Sequence, residues 1–183
     1  GSTFLTFSDY LKPAIRMSAL MNLPVTYIFT HDSISIGEDG PTHQPIEQLV
    51  SLRATPNLNV FRPADMNELI GCWHDIINHT NPSALVLSKQ EFEPLVTTDK
   101  NMVKRGAYIV RKETNRLNGI IIATGSEVYT ALDVANKLYE EKNLDIRVIS
   151  MPCMELFLKQ DKEYYQFKAA EIYEKIKSKK QEP

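Results

Sequence analysis

One run of fifteen residues gathers most of the groups in this chain that do chemistry: His31-Asp32-Ser33-Ile34-Ser35-Ile36-Gly37-Glu38-Asp39-Gly40-Pro41-Thr42-His43-Gln44-Pro45. Two imidazoles and three carboxylates share it with two glycines and two prolines that fix the path of the backbone. The run follows an apolar segment, Val25-Thr26-Tyr27-Ile28-Phe29, and precedes a helical pattern that begins after Pro45. It is therefore expected as a loop at the carboxyl end of a strand, where parallel α/β sheets bind their ligands. Histidine and aspartate are both metal-ligand types, but their spacing here matches no zinc pattern, and no metal ligand is assigned. The residue types suit a loop that presents hydrogen-bonding and proton-transferring groups to a polar substrate. A loop whose charges merely satisfy one another is the plain structural alternative.

The elements that must carry this loop alternate between two periods. Val25–Phe29, Leu58–Phe61, Ala84–Leu87, Gly119–Ala123 and Ile146–Ile149 read as short buried strands. Between them, Leu11, Ala14, Ile15, Ser18 and Ala19 mark one helix, with Pro13 in or near its first turn. Ile46, Leu49, Val50 and Arg53 mark a second. Asp65 caps a third, on which Leu69, Trp73, Ile76 and Ile77 recur, and Ser126 caps a fourth, carrying Val128, Leu132, Ala135 and Leu138. Continuous apolar strands separated by amphipathic helices predict an α/β fold, a doubly wound parallel sheet covered on both faces, followed by the beginning of a second α/β domain. The polar stretch from Gln90 to Asn118 breaks the rhythm and reads as a connection, with one short strand candidate at Ala107–Val110. The boundaries expected are 1–95 for the first domain, 96–117 for the connection and 118–166 for the second. The Lys- and Glu-rich segment 167–183 reads as a solvated terminal helix, a partner-binding helix being the sharper alternative.

Composition limits the partners. The chain has 183 residues, with 21 Lys+Arg against 23 Asp+Glu, a formal charge of −2. That balance gives no electrostatic reason to expect nucleic acid or an anionic membrane. No apolar run approaches the roughly 18 residues of a membrane span, and no basic-then-apolar leader opens the chain, so a cytoplasmic location is expected. Cys72 and Cys153 lie far apart without a CxxC pattern and read as buried thiols.

The run from His31 to Pro45 also resembles the signature of the transketolases, thiamine-diphosphate enzymes that move a two-carbon ketol unit between sugar phosphates. Thr3-Phe4-Leu5, Phe7, Tyr10, Ala14-Ile15-Arg16 and Ser18-Ala19-Leu20 are similar to the family segment before it. Arg62-Pro63-Ala64-Asp65, Leu87-Ser88, Gly106-Ala107-Tyr108 and Ala123-Thr124-Gly125-Ser126-Glu127-Val128 follow in family order, so the resemblance runs from about residue 1 to about residue 166. It implies the later part of a pyrimidine-binding domain and the start of a C-terminal domain. By resemblance, Phe4, Phe7 and Tyr10 hold the cofactor's aminopyrimidine ring, which suits the stacking preferences of aromatic side chains. Asp39 and His43 face the donor sugar, His43 taking part in proton transfer, and His31 lies toward the substrate phosphate. Lys89 stands where the family usually has a phosphate-binding arginine, keeping the charge but losing the two-pronged donor. Ser35 stands where a glycine is usual.

The same resemblance implies thiamine diphosphate and magnesium as cofactors, sugar phosphates as substrates, and a second subunit or complementing transketolase segment as partner. The family's diphosphate-binding domain has no counterpart in this sequence, and the glutamate that activates the aminopyrimidine precedes the segment matched by Phe4. The chain alone is accordingly expected to be inactive. Two alternatives stay open, a non-catalytic remnant or interaction module, and dihydroxyacetone synthase within the enzyme class. The opening His31-Asp32-Ser33 and closing Gln44-Pro45 look less like 1-deoxyxylulose-phosphate synthase.

Overall fold

A computed structural model describes residues 2–161 and 164. The segment 167–183, expected as a charged helix, lies outside the described residues. The first unit is built on a four-stranded sheet of β1 (Ser2–Phe4), β2 (Thr26–Thr30), β3 (Asn59–Phe61) and β4 (Ser83–Val86), in the order β1-β2-β4-β3. Every pairing in it is parallel, with Phe4 opposite Thr30, Phe29 opposite Val86 and Phe61 opposite Leu85. All four strands therefore end on the same edge.

The continuous apolar strands are covered on both faces, as their composition predicts. Phe29, Val60, Ala84 and Val86 pack with Ile15 of α1 (Lys12–Leu20) and Leu52 of α2 (Gln48–Arg53). Phe61 and Leu85 point the other way, into Cys72 and Ile76 of α3 (Met66–Asn78). Alternate residues of β3 and β4 thus feed two cores, each buried side chain of this kind contributing about 1.5–3 kcal/mol. Pro13 sits in the first turn of α1, where its missing N–H costs nothing. Asp65 caps α3 by accepting the Glu68 N–H at 3.0 Å. Ser126 holds the N-cap position of α4 (Glu127–Lys142) without a side-chain cap bond.

The second unit is a sheet of β5 (Tyr108–Arg111), β6 (Leu117–Ala123) and β7 (Asp145–Ser150) in the order β5-β7-β6, with α4 against one face and α5 (Met154–Leu158) after β7. β6 and β7 are parallel, but β5 runs antiparallel at the edge, so this sheet is mixed. β5 forms at the short strand candidate Ala107–Val110, within the stretch 96–117 that the sequence reads as a connection, and its antiparallel direction is not expected from the sequence. The apolar face of α3 also differs from expectation. Glu68, Gly71, Cys72 and Ile76 are buried, whereas Trp73 and Ile77 are 44% and 65% exposed. The inward arc is centred on Cys72 and filled by a polar and a small residue that a hydropathy pattern does not weigh. Cys72 and Cys153 are free, buried thiols.

The two units join along the outer edge of β3. The Val60 N–H donates to Glu155 of α5 at 3.0 Å, and the Arg62 N–H donates to the Pro152 carbonyl at 2.8 Å. Arg53 of α2 reaches the same Glu155 carboxylate at 3.0 Å. An edge strand left open is a template for unwanted pairing, and here the second unit closes it. No helix among the described residues is long and apolar enough to cross a membrane.

Candidate functional site

Phe4 ends β1, His31 follows β2, Arg62 follows β3 and Lys89 lies just beyond β4, so four residues from different elements lie at one sheet edge. The loop after β2 folds back over it through a turn at Ile34–Asp39. Gly37 (φ 75°) and Gly40 (φ 74°) take left-handed conformations there, which explains two glycines in so short a run. Ser35 needs no such conformation and fits where the family carries glycine. Gln44 Nε2 ties the loop down by donating to Ile34 O at 3.3 Å and Gly37 O at 3.1 Å.

The rings form one contact series. Phe4 stacks on His31 with centroids 3.8 Å apart and planes 23° off parallel. His43 presents an edge to Phe7 at 5.3 Å and to Phe4 at 6.1 Å. Phe7 continues to Tyr10 at 6.1 Å. Each imidazole is held through Nδ1, His31 with the Thr30 hydroxyl at 2.9 Å and His43 with the Thr42 hydroxyl at 2.8 Å. Phe7 and Tyr10 also line a cavity of about 430 Å³, walled further by Tyr27 and Phe29. Phe4 is not one of its walls; it is turned to His31 instead. Asp39 closes the turn in an exposed position. Lys89 Nζ donates to Ile36 O at 3.3 Å, which puts the ammonium beside the loop. The structure thus brings together Phe4, Phe7, Tyr10, His31 and His43 by direct contact, and attaches Lys89 to the same loop.

A second layer holds this edge in place, and sequence reasoning assigned it no role. Arg62 Nε and Nη2 donate to Asp32 Oδ2 at 2.8 and 2.7 Å, and Nη1 donates to the Thr124 carbonyl at 2.9 Å and to the Glu127 carboxylate. Burial pushes the Asp32 carboxyl up, while the Arg62 guanidinium pulls it back. A Cβ at Gly125 (φ 60°) would lie within 2.8–2.9 Å of the Arg62 side chain, so only glycine lets that side chain lie against the backbone. Arg62 and Glu127 stand in the motifs Arg62-Pro63-Ala64-Asp65 and Gly125-Ser126-Glu127. That position in the motifs was the only signal available.

A parallel α/β sheet wound on both faces, with imidazoles and aromatics gathered where its strands end, is the architecture in which ligands bind at the carboxyl edge. Comparison places it more closely. The family model for the transketolase pyrimidine binding domain matches residues 1–94, and that for the transketolase-like C-terminal domain matches residues 106–172. The chain belongs to the transketolase family. It is 52% identical over 169 residues to a transketolase of Bacillus subtilis, a match covering 90% of this chain and 25% of that one. The solved transketolase of Leishmania mexicana superposes with a TM-score of 0.86 at 46% identity, covering 91% of this chain and 24% of that one. A Pichia stipitis transketolase solved with sedoheptulose 7-phosphate gives 0.86 at 42% identity, with the same coverage. The chain spans about a quarter of the length of the curated relatives it matches.

Proposed function

We propose that this chain carries the substrate-facing side of a transketolase-type site, which transfers a two-carbon ketol unit from a ketose phosphate to an aldose phosphate. The observation that carries the reading is the contact series Phe4–His31, Phe4–His43 and Phe7–His43 at the carboxyl edge of the sheet. His43, fixed through Nδ1 by Thr42, has Nε2 for exchanging a proton with a donor-sugar hydroxyl. Asp39 accepts a hydrogen bond from a second hydroxyl. Lys89 and His31 take the phosphate end, Lys89 as a point charge. Bringing these groups to one edge converts a search between two molecules into positioning.

The cofactor ring fits the residues present. A flat heteroaromatic ring is well held by Phe4, Phe7 and Tyr10, Phe4 stacking on Phe7 at 6.1 Å and the other two walling a cavity with Tyr27 and Phe29. Thiamine diphosphate, when bound, supplies the carbon nucleophile and electron sink for breaking and re-forming the C–C bond. Among the described residues no group of three or more His, Cys, Asp or Glu is set to hold a metal ion. By family resemblance, the diphosphate and magnesium are assigned to a second subunit or a complementing transketolase segment, and the assembly to cytoplasmic pentose phosphate metabolism. Titration with phosphorylated and unphosphorylated ketose tests it.

One observation favours a second reading, an interaction module without turnover. Met66, Ile70, Trp73 and Ile77, at helical spacing on α3, are 44–65% exposed, an apolar stripe of the kind that marks contact surfaces. Sedimentation of the chain with and without Trp73→Glu tests that reading, which requires the substitution to dissociate a complex.

A further inference from the structure

Arg62 is placed to do more than join two units. Its guanidinium is shared between Asp32 of the His31–Pro45 loop and two groups of the second unit, the Thr124 carbonyl and the Glu127 carboxylate. Asp32 and Arg62 are 3% and 4% exposed. Both contacts from Arg62 fall on Asp32 Oδ2. Oδ1 is buried with no hydrogen-bond partner among the described residues, so Arg62 is the one other side chain that hydrogen-bonds this carboxylate among them. One residue earlier, His31 has a φ of 57°, in the left-handed region that non-glycine residues avoid, and there its ring stacks on Phe4. Such a conformation persists only where its surroundings determine it. The supports are the Thr30 hydroxyl before His31 and the buried Asp32 anchor after it.

We propose that Arg62 is a positioning residue: through Asp32 it holds His31 in its left-handed, Phe4-stacked posture, and through Thr124 and Glu127 it makes that posture depend on the second unit. The consequence for substrate rests on the reading that His31 faces the sugar phosphate; the postural claim does not. A guanidinium is needed because its planar fork serves an acid on one side and a carbonyl and a second acid on the other, which an ammonium does not do in fixed geometry.

The test is proton NMR of the full chain, following the His31 Cε1–H signal, identified by its loss in His31→Asn. Stacking on Phe4 displaces that signal upfield. In Arg62→Gln we expect the displacement to be largely lost, while the Trp73 and core methyl signals stay in place. Arg62→Lys restores part of it. Glu127→Gln, altering a half-exposed side chain, shifts the signal in the same direction by less. Xylulose 5-phosphate binding weakens on the order of tenfold in Arg62→Gln, about one hydrogen bond's worth. A His31 signal unmoved in a folded Arg62→Gln overturns the proposal. If that variant does not fold, an unmoved signal in Glu127→Gln overturns it equally. If the parent chain binds no sugar phosphate, the site reading fails while the His31 signal still decides the role of Arg62.

Discussion

The Tyr108 hydroxyl on β5 donates to the Glu68 carboxylate on α3 at 2.7 Å, a bond that crosses from the second unit into the first. Glu68 is fully buried, and burial pushes its carboxyl up. The Ala64 N–H at 2.7 Å and the Ser150 hydroxyl at 2.6 Å complete its donors. Tyr108→Phe removes one donor from a buried acid and takes the acceptor from the Asp99 N–H. Stability is expected to fall by about 1–3 kcal/mol, read from the urea midpoint. An unchanged midpoint would show that this bond does not hold the units together.

Asp145 gives the pH-dependent counterpart. Burial alone would raise its carboxyl, but the Asn115 and Thr114 N–H groups, the Thr114 hydroxyl and Arg111 outweigh that and hold it below its ordinary value of 3.8. A lowered native pKa contributes stability above the unfolded value and loses it as pH falls through the folded one. Asp145→Asn is therefore expected to destabilise the chain near neutrality by about 1–3 kcal/mol. The gap to the parent should narrow below pH 3.8. Paired unfolding curves at neutral and acid pH check this, and a gap that widens in acid would contradict it.

These two bonds mark where the sequence stops being legible. Among the described residues, five of the seven strands show in apolar runs, because strands covered by helices need continuous hydrophobicity, although β6 is only partly buried. β1 has three residues, too few for any period to register. β5 lies in a polar stretch where Ala107–Val110 reads as a short strand candidate, but its antiparallel place in the sheet depends on β7, far along the chain. The chemical loop was legible because its groups are contiguous. Its support was not: Asp32 meets Arg62 across 30 residues and Arg62 meets Glu127 across 65, separations that no local pattern encodes. On α3, Glu68 occupies the inward face because Tyr108, Ser150 and the Ala64 N–H supply donors, which exist only once the second unit is in place.

Lys89 offers a specificity test. Its ammonium sits on the Ile36 carbonyl, a contact weak enough to yield to a phosphate. Lys89→Ala is expected to weaken phosphorylated ketoses by about 1.5–3 kcal/mol, and Lys89→Arg to tighten them by replacing a point charge with a fork. Unphosphorylated ketoses should be indifferent to both changes. Calorimetric titration separates the cases, and equal effects on both ligand types would remove Lys89 from the phosphate end.

Turnover is expected to require the complementing segment. With thiamine diphosphate and magnesium but no partner, the chain should give no ketol transfer from xylulose 5-phosphate to ribose 5-phosphate, because the proposed reading draws general-base help worth roughly 10²–10⁴ in rate from the complementing segment. A coupled assay well above buffer would show that the described residues suffice.

The most direct measurement of the substrate-facing role is a titration of the full chain with xylulose 5-phosphate and, separately, xylulose, followed at the His31 and His43 ring signals. The account predicts saturable movement of both signals with the phosphorylated ketose and much weaker movement with the unphosphorylated one. Ring signals that stay fixed at high ligand concentration, or that move equally with both sugars, would contradict it.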